Sequence, residues 1–237
     1  MNRRRIFTFV FVAWLAFGLG GCAGVHKQAF NKDAQQDVKT IGLLEPAFAG
    51  EYFVHNLGHP GMGFGLIGGL IATADMQSKT NQFTVLMKER NFNVPDEFQS
   101  MLTAELQKDG YAVKVLKPQR EKPAFLETYD ALDKDVDAYL DLGIGAGYLC
   151  ASGTADYIPT VRSGVRLVKR GSNEIIYQDV ISYGYELRAA QAVSIVADQK
   201  YFFKDFVALS GNPDLAMDGL KQGVPLVARR IAQDLAR

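Results

Sequence analysis

Apolar and polar positions follow two different periods along this chain, and they predict a mixture of strands and helices. An apolar run over residues 40–44, stopped by Pro46, predicts a buried strand. Between Pro95 and Gly110, apolar residues recur every three or four positions, which is typical of an amphipathic helix. Residues 111–116, which include two valines, predict a second strand.

The second half of the chain predicts one long strand, a hairpin and terminal helices. Residues 137–151 are rich in Tyr, Leu and Ile and predict the long strand, and the charged loop before it contains a predicted short helix at 124–132. The stretch 163–187 predicts a hairpin, because its two apolar strands are joined by a turn that contains Gly, Ser and Asn. Apolar residues at helical spacing cover 198–209 and 212–235.

Together these elements predict an α+β fold in which helices cover one face of a mixed or antiparallel sheet. A glycine-rich insertion at about residues 56–80 follows the first strand, and residues 38–237 are expected to form one domain. Hydrophobic residues make up 48% of the chain, which is typical of a globular protein. Basic and acidic residues number 26 each, so the chain lacks the basic excess that a nucleic-acid partner would require.

The insertion contains the most unusual stretch of the chain, the uncharged run over residues 60–74. Gly61, Gly65 and Gly69 recur every four residues, so on a helix they would share one face and allow close approach of another helix. We interpret these three glycines as a candidate contact for assembly or for the membrane. The alternative is a glycine-rich loop or short helix that packs on its own domain. The run also matches the G-x-G-x-x-G dinucleotide fingerprint, but no strand leads directly into it, so no cofactor is predicted.

Candidate catalytic and metal-binding residues are few. His55 and His59 are four residues apart, but Gly58 and Pro60 argue against the helix that would bring the two imidazoles to one face, so no metal site is predicted. The chain has no G-x-S-x-G motif around a nucleophilic serine, and we do not expect an enzyme. An envelope hydrolase remains the third hypothesis, although the clustered acids are predicted to be solvated: Asp130, Asp133, Asp135 and Asp137.

Glycines interrupt the long strand at every second position. Gly143, Gly145 and Gly147 would all lie on one face of the strand and leave that face bare. We therefore expect that another group packs closely on them or that the strand bends there. Cys150 follows in apolar surroundings and is predicted to be a buried structural thiol, with an intermolecular disulfide as the alternative.

The start of the chain has the composition of an export signal. Three arginines at positions 3–5 precede an uncharged run over residues 6–19, which is shorter than the roughly 20 residues that cross a bilayer as a helix. Small residues and a cysteine follow this run directly. The tetrapeptide Leu19-Gly20-Gly21-Cys22 at this place resembles the lipobox of bacterial lipoproteins.

The resemblance to lipoproteins implies a maturation route and a cellular location. Signal residues 1–21 would be removed by cleavage between Gly21 and Cys22. Cys22 would then carry a diacylglyceryl group and an N-linked acyl chain such as palmitate, and residues 22–37 would form a polar tether. Ala23, rather than Asp, follows the cysteine, which in this family implies the outer membrane. The domain would face the periplasm, and exposure at the cell surface stays open.

The order of predicted elements is similar to that of an α+β module in envelope lipoproteins, namely those of the curli-secretion type and the N-terminal module of the Tol-system propeller protein. This resemblance transfers no functional residue. We expect an outer-membrane-anchored periplasmic binding or scaffold module in an envelope assembly, with an envelope protein or further copies of itself as partner. The alternative is an oligomeric, membrane-inserting lipoprotein of pore or secretion type that uses residues 60–74.

Overall fold

The computed structural model describes residues 27–30, 36–59, 65–186 and 192–237. The predicted cleavage and lipidation site at Gly21 and Cys22 lies outside the described residues, as does Gly61. Within the described residues, seven strands form one sheet: β1 (Thr40–Leu44), β2 (Phe53–Asn56), β3 (Ala112–Leu116), β4 (Ala138–Cys150), β5 (Ile158–Lys169), β6 (Ile175–Tyr183) and β7 (Val193–Ile195). The same residues form four α-helices: α1 (Gly65–Glu89), α2 (Val94–Lys108), α3 (Phe206–Gly211) and α4 (Pro213–Asp234).

The sheet is mixed, and its strand order is β3-β1-β4-β5-β6-β7. The pairs β4–β5 and β5–β6 are antiparallel, whereas β1 is parallel to both of its neighbours and β7 is parallel to β6. β2 also pairs with β4 in parallel, next to residues 147–150, while β1 pairs with residues 138–140. β1 and β2 therefore lie end to end along the same edge of β4, and Ala47 forms a bridge to Gly143 between them. This mixed sheet with packed helices confirms the predicted α+β class.

The two faces of β4 have different roles. Its even-numbered residues, such as Leu140 and Leu142, belong to the main core together with apolar residues of α2 and α4. Tyr148 lies in the same core, where its hydroxyl donates to the Ala216 carbonyl at 3.0 Å. Successive side chains of a strand point to opposite faces. The odd-numbered residues of β4, including its three glycines, therefore belong to the face of the sheet that is turned away from these helices.

The glycine-rich insertion continues into α1, which packs beside β2. Thr80 and Thr84 lie one turn apart on α1. Their hydroxyls accept hydrogen bonds from the backbone N–H groups of Val54 and Tyr52, at 3.0 and 2.9 Å respectively. These bonds satisfy donors along β2, because polar backbone groups that are buried need a partner. Gly65 and the rest of the first turn begin a helix that the glycine content alone did not predict. Among the described residues, no helix combines the length and the apolar character needed to cross a membrane.

Two predicted helices are wrong. The structure has no helix over residues 124–132, where the Leu126 N–H donates to the side chain of Asp141 on β4 and not to a backbone carbonyl of its own segment. In place of one helix over residues 198–209, a 3-10 turn at Gln199–Tyr201 and the short α3 flank an extended residue. That residue, Phe203, exchanges two backbone hydrogen bonds with Tyr157 at 2.7 and 3.1 Å. Tertiary pairing overrides local helical preference at both places.

Part of the predicted polar tether lies against the sheet. The backbone of Gln28 exchanges hydrogen bonds of 2.7 and 2.9 Å with Gln178 of β6, and its side chain donates to the Ile175 carbonyl at 2.6 Å. Beside it, the ammonium of Lys27 lies 3.1 Å from the carboxylate of buried Asp179. The chain close to the predicted lipidation site is therefore attached along β6.

Candidate binding site

A pocket of about 670 Å³ opens on the face of the sheet that is turned away from α2 and α4, and it extends past β2 to the side of α1. Its volume lies in the range of about 300–1,000 Å³ that is usual for small-ligand sites. Its lining residues come from β2, β4, β5 and β6, from the loops before β2 and before β4, and from α1. The floor consists of bare glycine backbone and the walls are mainly aromatic; the lining residues include Gly143, Gly145, Gly164, Phe53, Phe125 and Arg162.

The floor glycines are not required by the packing of the protein itself. A Cβ atom on Gly143 would lie 3.5 Å from its nearest neighbour, and one on Gly145 or Gly164 would lie 3.4 Å away, which are ordinary contact distances. None of the three has a positive φ, so the backbone would accept a side chain. A glycine inside a strand costs about 0.5–1 kcal/mol relative to alanine. These three glycines therefore lower stability although a side-chain Cβ would fit, a pattern that is found where a ligand approaches a strand closely.

Gly147 differs from the floor glycines. A Cβ atom there would collide with the backbone of Phe53, which is its neighbour in β2. The prediction that something packs closely on the bare face is thus correct at this position, and β2 is what packs there. The close approach places the ring of Phe53 beside Gly145, where it forms one wall of the pocket.

The Phe53 wall carries the positive charge of the site. The guanidinium of Arg162 on β5 lies 5.8 Å from the centroid of the Phe53 ring, and the centroid of the His55 ring lies 5.7 Å from the same point. Burial, and then the charge of Arg162, hold the pKa of His55 below its usual value of 6.5. His55 is therefore neutral at pH 7, and Arg162 supplies the cationic charge beside Phe53.

Arg162 is also not neutralised by a neighbouring acid. Within the part of the chain that the structure describes, no carboxylate oxygen lies within 4.0 Å of its guanidinium nitrogens. The acid at the pocket rim, Glu51, instead accepts a hydrogen bond of 2.9 Å from Gln77 on α1. A basic side chain with no acidic partner at the edge of an apolar pocket is suited to an anionic group of a ligand.

The opposite wall is Phe125, which comes from the loop between β3 and β4. Its ring contacts the position where a Gly164 side chain would be, and the guanidinium of Arg166 lies 4.5 Å from the ring centroid. Arg166 is oriented in turn by a hydrogen bond of 2.7 Å from its Nε to Gln178. The Phe125 ring therefore packs on Gly164 and Arg166, which are two residues apart on the same face of β5.

A buried carboxylate fixes the loop that carries Phe125. Asp141 is fully buried and accepts hydrogen bonds from the Leu126 N–H at 2.7 Å and from the Tyr129 hydroxyl at 2.9 Å. It also forms an ion pair with Arg120 at 2.7 Å, and Arg120 donates to the Ala124 carbonyl at 2.7 Å. Leu126 is thus bonded to Asp141 directly, and Ala124 is linked to the same carboxylate through Arg120.

The structure places the sequence-predicted residues away from this pocket, apart from the strand glycines and His55. Gly65 and Gly69 lie in the first two turns of α1, on one face of the helix. His55 lies on strand β2, so the helical pairing with His59 does not occur. In the described residues no group of three or more His, Cys, Asp or Glu side chains is arranged to hold a metal ion. Cys150 is buried, as predicted, and burial raises the pKa of its thiol.

Sequence reasoning missed the third floor glycine, Gly164, and three wall residues of the pocket: Phe53, Phe125 and Arg162. They come from β2, a loop and β5, and only the tertiary fold brings them together. The signal that could have located the site was the period-two glycine pattern of β4. That pattern indicates the bare face of β4 but not the side chains that form the walls beside it.

Comparisons with known proteins give weak similarities. No protein-family model and no curated protein matches the chain. Similar solved structures include the PelC dodecamer from Paraburkholderia phytofirmans, at 8% identity, with 90% of this chain and 98% of that chain covered and a TM-score of 0.39. Protein XCC0632 from Xanthomonas campestris is 9% identical, with coverages of 87% and 88% and a TM-score of 0.41. The likeness is too low to carry a functional argument.

Proposed function

We propose that this chain is an outer-membrane lipoprotein whose domain faces the periplasm and works as a binding module in an envelope assembly. The observation that carries the binding part is the pocket, whose floor consists of glycines that the packing and backbone conformation of the fold do not require. The anchor part is supported by the sequence Leu19-Gly20-Gly21-Cys22 behind a basic and then apolar start. The site combines a glycine floor and aromatic walls with the exposed cation of Arg162, which suits recognition rather than catalysis.

The lipid anchor is tested by labelling cells that express the full chain with radioactive palmitate. We expect label on the wild-type protein and its recovery with outer-membrane fractions, and we expect the Cys22→Ala variant to lose both. Acyl chains contribute about 0.8 kcal/mol per buried methylene, so the loss of several chains should release the protein from the membrane. Label that persists in the variant, or label that is absent from the wild type, would contradict the anchor.

The binding role is tested with extracts of the envelope in which the protein resides. Isotope-labelled protein that begins after Cys22 is titrated with lipid extracts and with water-soluble extracts, and amide resonances are followed by NMR. We expect shifts at Gly143, Gly145 and Gly164, which form the floor of the pocket. Their absence with every extract would contradict the binding role, and shifts restricted to α1 would favour the second candidate below.

A second candidate function, assembly of several copies, is favoured by the N-terminal part of α1. Leu70 and Ile71 are 63% and 62% exposed, although large apolar residues at adjacent positions are usually covered. They follow Gly65 and Gly69 directly on the same helix. If α1 mediates assembly, wild-type protein without its lipid should sediment as an oligomer, and Leu70→Lys with Ile71→Lys should make it monomeric. A monomer at high wild-type concentration would rule this candidate out.

A further inference from the structure

We propose that the pocket binds a single-chain anionic amphiphile from the membrane that anchors the protein, with the acyl chain on the glycine floor and the carboxylate at Arg162. This inference rests on the proposed binding role and names the class of ligand. Three independent features of the described residues support it: the distribution of charge, the shape of the floor, and the attachment of residues 27–30 to the sheet.

The charge of the site selects an anion. Arg162 is exposed and has no acidic partner in the described residues, whereas Arg120 is neutralised by Asp141 and Lys169 lies 3.4 Å from Asp37. His55 adds no charge at neutral pH, because burial and Arg162 lower its pKa. A carboxylate placed between Arg162 and solvent would form the charge-assisted hydrogen bonds that a guanidinium favours.

The floor and walls select an extended apolar chain. The three floor glycines form a bare strip across β4 and β5, where Gly143 is paired with Gly164 and Gly145 is paired with Arg162. A methylene chain could lie along this strip between the rings of Phe53 and Phe125 and bury its surface against both. The pairing of Gly145 with Arg162 puts the cation at one end of the strip, where the head group of such a chain would lie.

The attachment of the tether keeps the pocket close to lipid. Gln28 is bonded to β6, and the chain from Cys22 to Gln28 spans at most about 20 Å even when it is fully extended. Three strand spacings, about 15 Å, separate Gln28 from β4, because Gln28 pairs with β6 and β5 lies between β6 and β4. A protein anchored at Cys22 would therefore hold its pocket within about 35 Å of the bilayer surface. Amphiphiles that leave that surface are the nearest source of ligand.

The test uses the full lipidated chain in phosphatidylcholine vesicles that contain a photoactivatable palmitate. Two probes with the same labelled chain serve as comparisons, one ending in an alcohol and one in a trimethylammonium group. After irradiation, the labelled peptides are mapped by mass spectrometry. We expect adducts on the peptides that contain Phe53, Phe125 or Gly145, and about tenfold more of them with the carboxylate than with either comparison probe.

Variants of the same protein distinguish the contribution of the Arg162 charge from that of the space above the glycine floor. Arg162→Gln should reduce labelling by the carboxylate probe about tenfold, while Lys169→Gln, which removes a cation from the same strand outside the pocket, should leave it unchanged. Gly145→Val should fill the floor and abolish pocket labelling. Gly143→Val repeats this test in case the first valine unfolds the protein, because its Cβ atom also has room.

Equal labelling by all three probes, labelling that is insensitive to Arg162→Gln, or adducts confined to Leu70 and Ile71 would overturn the ligand class. The proposed binding role is judged separately. If envelope extracts shift the floor resonances while the photoactivatable palmitate fails to label the pocket, the ligand class is wrong and the binding role stands. If the extracts do not shift the floor resonances and the photoactivatable palmitate does not label the pocket, both proposals fail.

Discussion

The backbone carbonyl of Phe53 occupies the space that a Cβ atom on Gly147 would need. This close contact lets β2 pair with the end of β4 and places the Phe53 ring over the neighbouring part of the sheet. Gly145, two residues earlier on the same face, has room for a side chain. One glycine is thus required by the fold, and the other keeps the pocket open.

The two glycines should respond in opposite ways to the same substitution. Gly147→Ala should destabilise the protein by about 1–3 kcal/mol, because a new methyl group in a packed contact forces the strands apart. Gly145→Ala should be neutral or stabilising by up to about 1 kcal/mol, because alanine loses less backbone entropy on folding. Urea denaturation measures both free energies of unfolding. Equal effects of the two alanines would contradict the assignment of the floor.

Asp141 should be essential for the stability of the loop that carries Phe125. Asp141→Asn would leave the largely buried guanidinium of Arg120 without its acidic partner, and breaking a buried pair in this way costs about 3–5 kcal/mol. Asp37→Asn, which removes an exposed ion pair with Lys169, should cost less than about 1 kcal/mol. Urea denaturation again measures both changes. If Asp141→Asn costs no more than the exposed control, the carboxylate does not hold the loop.

How far the sequence predicts this fold depends on whether the signals are local. The hairpin of β5 and β6 follows from its turn, where Gly171 and Asn173 adopt φ values of 82° and 55° that favour these residue types. α2 follows from Pro95 in its first turn and the apolar stripe behind it. Both signals lie within a few residues, so the pattern alone is sufficient.

The parts that could not be predicted depend on contacts distant in sequence. α1 begins in a glycine-rich stretch and is stabilised by β2, to which Thr80 and Thr84 bond. The expected helix at 124–132 is absent because Asp141, on a strand, takes the backbone donor of Leu126. The pocket also depends on contacts distant in sequence, because its walls come from segments far apart in the chain. Only the glycines of its floor form a pattern that is visible locally.

Arg162 should control the titration of His55. Arg162→Gln removes the nearby positive charge and should raise the pKa of His55 part of the way toward 6.5, because burial, the larger cause, remains. NMR of the imidazole measures this pKa, and Lys169→Gln serves as the control that should leave it unchanged. The lowered pKa also implies that folding stability contributed by His55 is full above about pH 6.5 and declines as the pH falls below that value. An unchanged pKa in Arg162→Gln would place the guanidinium away from His55.

Buried tyrosines should make the protein sensitive to alkali. Burial raises the pKa of Tyr52 to about 12 and that of Tyr183 to about 12, from 10.0. The folded state therefore keeps protons that the unfolded state loses, so stability is full below about pH 10 and falls as the pH rises. Each such tyrosine should remove about 1.4 kcal/mol per pH unit above its unfolded pKa.

Tyr52→Phe tests the alkaline effect at one position. The variant loses the hydrogen bond of 2.6 Å to the Phe92 carbonyl and about 1 kcal/mol of stability at neutral pH. In exchange, its stability should decline less steeply above about pH 10 than that of the wild type, as measured by urea denaturation across pH. Parallel curves for the two proteins would show that Tyr52 ionises equally in the folded and unfolded states.

The central claim, that the glycine-floored pocket is the working site, is tested most directly by native mass spectrometry of the full chain purified from its own membrane in mild detergent. The wild type should carry a bound molecule, and Gly145→Val, produced and folded to the same extent, should not. The control Lys169→Gln should retain the same added mass. A wild type without added mass, or equal added mass in the wild type and Gly145→Val, would contradict the claim.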